Sequence, residues 1–203
     1  MRFTLLDRVV SIEPGKSITA IKTLSLSEEY LADHFPHFPV MPGVLMLEAM
    51  TQAAAWTIRL GEDFANSIVV LRTAKNVKYG DFVEPGRVLT VTAEVLDQDE
   101  TTTKVKASGT VSGAGGAERT SLTARLVLAR YNLADRMPYG EAVDARVRSE
   151  MRKLWAILHP TGRQGSAPRH VVYRAQTPSE SQPSTQGGQG LGMPVAGGPS
   201  LVR

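Results

Sequence analysis

Two side chains that could act as an acid and a base, His34 and Glu48, lie close together in the sequence. His34 belongs to residues 32–42, which contain three prolines and lead directly into a helical pattern beginning at Gly43. An imidazole titrates near neutral pH and suits a general base. Glu48 is predicted about one and a half turns inside the helix, among apolar neighbours. Burial there would raise the pKa of its carboxyl group, which suits a general acid.

The predicted helix start between these side chains adds a third chemical component. Backbone N–H groups in the first turn of a helix lack partners within the helix, so they can polarise a carbonyl or hold an anion. The three parts could together serve an elimination next to a carbonyl, in which one group removes the α-proton and the other protonates the leaving hydroxyl. The residues alone leave simpler interpretations open: a hydrogen-bonded loop histidine and a glutamate in a structural ion pair.

Residues 34–52, with the sequence HFPHFPVMPGVLMLEAMTQ, form a long and specific motif. This motif closely resembles the signature of hot-dog-fold (3R)-hydroxyacyl-acyl-carrier-protein dehydratases of the FabZ type. The resemblance extends over roughly residues 1–131, and it includes LDRV at residues 6–9, EPGK at 13–16 and NVKYGDFVEPG at 76–86. It implies a hot-dog fold and the dehydration of a hydroxyacyl carrier-protein thioester to its trans-2-enoyl product in fatty acid biosynthesis.

The resemblance also implies a role for each part of the motif. It implies that His34 is the general base and Glu48 the general acid, one from each subunit of a dimer. Gly43 and Val44 would then offer backbone N–H groups to the thioester carbonyl. Glutamate rather than aspartate at position 48 favours the simple dehydratase over the related dehydratase-isomerase type.

Three loop residues depart from the family pattern. Asp33 stands where the family usually has glycine, and His37 and Phe38 stand where it usually has Gly-His. Glycine permits backbone angles that histidine adopts less readily, so we expect a differently shaped loop. Asp33 either orients His34 or is an exposed loop acid.

Two alternative functions remain open at this point. The altered loop favours a non-catalytic hot-dog protein that binds acyl chains or scaffolds a complex, whereas the retained His34 and Glu48 argue against it. An acyl-thioester hydrolase on the same fold is the other alternative, although it would not need the histidine loop.

The implied partner is an acyl-carrier protein. Such carriers are acidic, so we expect basic residues beside the site, with Arg72, Lys75 and Lys78 as candidates. The subunits are expected to form a homodimer, or a trimer of dimers. The four histidines lack metal-ligand spacing, and Gly113–Gly116 follow a strand pattern without a helix to receive a phosphate. Neither a metal nor a nucleotide cofactor is therefore predicted.

The elements that position the motif follow from the pattern of apolar residues. Strand-like runs cover residues 3–13 and 17–26, and a helix that is apolar nearly all round covers residues 43–60. Further strand-like runs follow at residues 67–71, 76–82, 88–96, 102–111 and 121–131. This order predicts an α+β fold in which an antiparallel sheet wraps around one long central helix. Because a single sheet has an open face and two edges, a partner subunit is expected.

The C-terminal third differs in composition from the rest of the 203-residue chain. Residues 136–203 carry 9 basic and 4 acidic residues, whereas residues 1–135 carry 14 and 16, so we expect no nucleic-acid-binding main domain. The predicted domains are a dehydratase domain at 1–135, a helical extension at 136–159 and a disordered tail at 160–203. In that tail, 24 of 44 residues are Gly, Pro, Ser or Gln.

The extension is predicted as an exposed helix whose narrow apolar stripe could dock on the sheet or on another subunit. The chain has no cysteine, and neither a signal-peptide pattern nor an uninterrupted apolar span is evident. These features favour a cytoplasmic protein without a membrane span.

Overall fold

The computed structural model describes residues 3–112 and 117–160, which belong to one compact unit, Met1–Gln164. The strands are β1 (Arg8–Glu13), β2 (Ser17–Thr23), β3 (Ile68–Tyr79), β4 (Val88–Gln98), β5 (Thr102–Ser112) and β6 (Glu118–Tyr131). The long helices are α1 (Gly43–Gly61) and α2 (Gly140–Leu158), and short 3-10 turns lie at Glu29–Leu31 and Leu133–Asp135. Apart from Pro160, the predicted disordered tail lies outside the described residues.

The strands form one antiparallel sheet with the order β1-β2-β4-β5-β6-β3. The chain passes through α1 between β2 and β3, so β3 pairs with β6 at the far edge of the sheet. Alternation of side chains gives the sheet a buried face: Leu89, Val91 and Ala93 of β4 are buried. This arrangement confirms the predicted α+β fold, and within the described residues β1 and β3 form its edges.

Helix α1 is the central element of the core. Ten of its residues are buried, and Ala49, Ala53 and Ala54 have no accessible surface. These small side chains permit close approach to the strands, while larger residues such as Met50 and Ile58 fill the remaining space. Burying each large apolar side chain contributes about 1.5–3 kcal/mol to stability. The predicted central helix is therefore confirmed.

The turn between β1 and β2 packs against the C-terminal end of α1. Gly15 has a φ of 74°, and its N–H donates to the carbonyl of Thr57 at 2.9 Å. A Cβ atom on Gly61 would lie only 2.6 Å from the Gly15 Cα atom. Glycine at position 61 therefore allows the hairpin to contact the helix.

The structure corrects three predicted strands. The strands predicted at residues 67–71 and 76–82 are one continuous strand, β3. Its pairing with β6 contains two irregularities, which allow the strand to continue where its strand-like sequence pattern is interrupted. Asn76, at one of these irregularities, has a φ of 53°. The first strand begins at Arg8 rather than at residue 3, because the preceding residues contact α1 instead.

Helix α2 docks on the body of its own chain. The Trp155 ring lies 5.6 Å from the Trp56 ring of α1, between centroids, and Leu158 is buried. Met151 and Leu154 also pack against the core. The helix predicted as exposed therefore covers part of the folded domain with its apolar stripe. No helix in the described ranges has the length and apolar character needed to cross a membrane.

A buried carboxylate fixes the start of α2. Asp144 is only 1% exposed; it accepts hydrogen bonds from the Ser67 hydroxyl and from the N–H groups of Leu133 and Ala134. Burial acts to raise the pKa of Asp144, but these hydrogen bonds outweigh it and lower the pKa. This network connects α2 to the segments that flank β3 and β6.

Candidate functional site

His34 lies in the loop between the 3-10 turn at Glu29–Leu31 and α1. Its side chain is half-buried, and its backbone N–H donates to the backbone carbonyl of Tyr30 at 3.2 Å. Its ring lies 4.3 Å from the Phe35 ring, between centroids. Phe35 has a φ of 51°, in the left-handed region that non-glycine residues seldom adopt. In this loop the left-handed backbone angle therefore lies at Phe35, and His37 is not among the described residues with a positive φ.

The second half of the loop is anchored to the segment after β3. The Met41 N–H donates to the Val83 carbonyl at 2.9 Å, and the Phe38 ring meets the Phe82 ring edge-on, with centroids 5.5 Å apart. This anchoring directs the chain into α1 at Pro42, its N-cap residue.

The first turn of α1 presents free backbone donors. The N–H groups of Leu45 and Met46 both donate to the Pro42 carbonyl, whereas those of Gly43 and Val44 donate to no described residue. Val44 is 69% exposed. A Cβ atom on residue 43 would lie 2.6 Å from the Tyr79 ring, so any larger residue there would require this ring to move. The two free N–H groups can therefore receive a carbonyl oxygen from outside the chain.

Glu48 lies one turn further along α1 and is held by Gln52. The Gln52 side-chain amide donates to Glu48 Oε1 at 2.9 Å and to the Phe3 carbonyl at 3.2 Å, and its Oε1 accepts from the Leu5 N–H at 2.9 Å. The sequence predicted a buried Glu48 side chain, but in the structure this side chain is half-buried. The amide clamp fixes the carboxylate against the N-terminal segment.

A single copy of the chain does not join the two candidate catalytic side chains. Among the described residues, no hydrogen bond or ion pair connects His34 to Glu48. Glu48 lines an open groove of about 490 Å³ formed by α1, β3, α2 and the N-terminal segment, and His34 is not part of its lining.

The residues around the site differ in accessibility. Arg72, Lys75 and Lys78 are exposed on edge strand β3, and none forms an ion pair with an acid in the described ranges. Asp33 and His37 are exposed too, and no hydrogen bond between described residues links Asp33 to His34. Asp33 is therefore the exposed loop acid of the two alternatives.

Metal ligands are not clustered in the part of the chain that the structure describes. There, no group of three or more His, Asp or Glu side chains is arranged to hold a metal ion.

The family follows from a comparison with known domains. A family model described as a FabA-like domain matches residues 1–117, which is more than half of the chain. The chain belongs to the FabA-like family. The matched residues include the whole His34 loop and α1, but not α2.

Relatives of this FabA-like chain include proteins named 3-hydroxyacyl-[acyl-carrier-protein] dehydratase FabZ. The one from Ruminiclostridium cellulolyticum is 40% identical over 116 residues, covering 57% of this chain and 82% of its own length. The one from Janthinobacterium sp. is 39% identical over 137 residues, covering 66% of this chain and 85% of its own.

Two solved structures share the fold at low sequence identity. The dehydratase heterocomplex ApeI:P from Xenorhabdus doucetiae matches with a TM-score of 0.51 at 21% identity, over 64% of this chain and 84% of that one. A thioesterase family protein from Silicibacter pomeroyi matches with a TM-score of 0.50 at 16% identity, over 63% and 85% of the two chains. These likenesses confirm the predicted hot-dog fold and concern the fold alone.

Gln52 is a site residue to which sequence analysis assigned no role. Its spacing of four positions from Glu48 places both on one helix face, which is the available signal. Its contacts with residues 3 and 5 are not visible in a local pattern, because those residues are nearly fifty positions away.

We predict that Gln52→Leu lowers kcat for dehydration about tenfold with little change in KM, because Glu48 loses the donor that orients it. Steady-state kinetics and the pH profile of kcat would measure this effect. Gln52→Glu is expected to perturb the pH profile most, because a second carboxyl group would face Glu48.

Gln98→Leu is the matched control for this prediction. Gln98 also donates to a glutamate, Glu62, at 3.0 Å, but outside the site. Equal kinetic parameters in both variants and the parent would contradict the positioning role of Gln52.

Proposed function

We propose that this FabA-like chain dehydrates (3R)-hydroxyacyl-[acyl-carrier-protein] to trans-2-enoyl-[acyl-carrier-protein] in fatty acid biosynthesis. Relatives at about 40% identity bear the name of this dehydratase and align over more than four fifths of their length. The observation that carries the proposal is the continuity of the site. The loop with His34 runs directly into a helix start with two free N–H groups, and the same helix carries Glu48.

The chemistry requires a base, an acid and an acceptor for negative charge. His34 removes the proton from the carbon next to the thioester carbonyl. The developing enolate oxygen is stabilised by the N–H groups of Gly43 and Val44. Protonated Glu48 donates its proton to the hydroxyl group, which leaves as water. The electron pair of the broken C–H bond forms the new double bond, and the proton on His34 restores Glu48, directly or through water.

We place His34 of one subunit with Glu48 of another in a homodimer. Two observations support this arrangement: His34 does not line the groove at Glu48, and edge strand β3 is unpaired on its outer side within the described residues. Phe82 and Val44 are also more than half exposed, which suits a covered face. A trimer of such dimers is the larger assembly we consider.

The carrier protein is proposed to bind beside β3. The exposed side chains of Arg72, Lys75 and Lys78 lie on this strand and suit an acidic partner. The proposed location of the enzyme is the cytoplasm.

The direct test is to incubate the chain with a (3R)-hydroxyacyl carrier protein and to measure two products separately. Mass spectrometry of the carrier should show the loss of one water with the thioester intact. Release of free acid and a free carrier thiol would instead identify a thioester hydrolase. Binding without either product would identify a non-catalytic acyl-binding protein.

Subunit mixing tests the shared site. Inactive His34→Ala and Glu48→Ala proteins, mixed in equal amounts and allowed to exchange subunits, are expected to regain about a quarter of parental activity, because about half of the dimers are then mixed and each mixed dimer restores one of its two sites. Activity and subunit exchange, the latter followed by native mass spectrometry, would be measured together. Confirmed exchange without recovered activity would show that each site lies within one subunit.

A further inference from the structure

The groove at Glu48 is lined partly by residues outside the FabA-like domain match. Met151 and Leu154 of α2 face the groove, together with Val69 and Leu71 of β3. The family model ends at residue 117, so α2 lies outside the matched residues. The extension thus contributes an apolar wall to the cavity that holds the proposed acid.

The floor of the groove is one face of α1. Glu48, Gln52, Ala55 and Arg59 all line it. Their spacings of four, three and four residues keep them on a single face. The eleven positions from Glu48 to Arg59 correspond to about 16 Å along the helix axis. The groove therefore has a polar residue at each end of an elongated floor.

Arg59 is a cation without a carboxylate partner among the described residues. It donates to the Val69 carbonyl at 3.4 Å, lies 5.7 Å from the centroid of the Trp56 ring, and has a buried Nε atom with no hydrogen-bond partner there. Burial lowers its pKa to about 10. Further loss of solvent around this guanidinium group would be unfavourable.

The α2 wall is held firmly against the body of the chain. Besides the contact between the two tryptophan rings, the Arg152 guanidinium group lies over the Phe64 ring, 4.5 Å from its centroid, and hydrogen-bonds to Asp63. These contacts lie next to Met151 and Leu154 in the helix, so the wall has a defined position.

We propose that the acyl chain of the substrate lies in this groove, running from Glu48 towards Arg59, and that Leu154 and Arg59 determine the acyl chain length. This inference rests on the proposed dehydratase function. Each methylene group buried against the wall contributes roughly a fourfold gain in affinity. A chain that reached Arg59 would desolvate the unpaired guanidinium group with an apolar end, so longer chains are disfavoured.

The test compares kcat/KM for short-chain and long-chain (3R)-hydroxyacyl carrier proteins. Leu154→Trp narrows the groove and is expected to lower the long-to-short ratio of kcat/KM by at least about tenfold. A tenfold loss corresponds to the binding contribution of fewer than two buried methylene groups. Arg59→Leu removes the charge and is expected to raise the same ratio by at least about fourfold. Ile157→Trp is the matched control, because Ile157 is 67% exposed on α2 and does not line the groove; its ratio should equal that of the parent.

The outcomes separate this inference from the proposed function. If the parent forms no enoyl product from any chain length, the dehydratase function fails and this inference fails with it. If the parent is active and neither Leu154→Trp nor Arg59→Leu changes the ratio, only the acyl groove is contradicted. If Leu154→Trp does not fold, Leu154→Ala replaces it; it should change long-chain kcat/KM more than short-chain kcat/KM, and an unchanged ratio would overturn the inference.

Discussion

Replacing His34 with alanine, or Glu48 with glutamine, is expected to lower dehydration kcat by at least about 100-fold, because a positioned acid or base typically contributes a factor of 10² to 10⁴. His34→Ala removes the proposed proton acceptor from the loop. Glu48→Gln retains a similar shape and an oxygen that can accept from Gln52, but it cannot donate a carboxylic proton. Both variants should keep the melting temperature of the parent within a few degrees. Turnover of the purified carrier-protein substrate and thermal unfolding would measure the two properties.

Two exposed residues of the same types provide matched controls for these substitutions. His37 is exposed in the same loop, so His37→Ala should retain nearly full activity. Glu94 is exposed on β4, so Glu94→Gln changes a carboxylate of the same type away from the site. If His34→Ala and Glu48→Gln retained the turnover of their controls, both proposed catalytic roles would be wrong.

The sequence predicted the parts of the site that depend on local order. Proline at position 42 ends the loop and starts the helix. The positions of His34 before this proline and Glu48 after it therefore predicted a base in the loop and an acid in the helix, with the helix start between them. The apolar character of residues 43–60 on nearly all sides and the order of the strand-like runs likewise predicted a sheet wrapped around one helix. These features need no information about distant contacts.

The contacts between distant segments were not predictable in this way. The narrow stripe of α2 left open whether that helix would dock on its own chain, because the tryptophans that meet, Trp56 and Trp155, are almost one hundred residues apart. The division of β3 into two predicted strands has a similar cause. The strand-like sequence pattern is interrupted between residues 71 and 76, whereas the pairing with β6 continues through an irregularity at Asn76.

A second distant contact, between Arg130 of β6 and Glu62 at the end of α1, joins helix to sheet. Both side chains are largely buried, with exposed fractions of 5% and 13%. The Arg130 guanidinium group donates to Glu62 Oε1 and to the Asp99 and Thr102 carbonyls. Burial lowers the pKa of Arg130, yet the multiple acceptors suit its charged form.

We predict that Arg130→Met destabilises the fold by about 3–5 kcal/mol, because it leaves a largely buried carboxylate and two carbonyl groups without their shared donor. The melting temperature should fall by roughly 6–20 °C for a chain of this size. Urea unfolding followed by tryptophan fluorescence is a suitable measurement. The chain has two tryptophans, Trp56 and Trp155, which lie together at the contact between α1 and α2.

Arg119→Met distinguishes the loss of this buried network from the loss of a positive charge on the same strand. Arg119 also lies on β6, but its side chain is 65% exposed and meets Asp81 at 3.4 Å. Exposed ion pairs contribute about 0–1 kcal/mol, so Arg119→Met should remain close to the parent. Arg130→Lys should lie between the parent and Arg130→Met, because lysine retains the charge but lacks the planar fork that reaches several acceptors at once. Equal unfolding midpoints for Arg130→Met and Arg119→Met would show that the buried Arg130 network contributes no more to stability than an exposed ion pair.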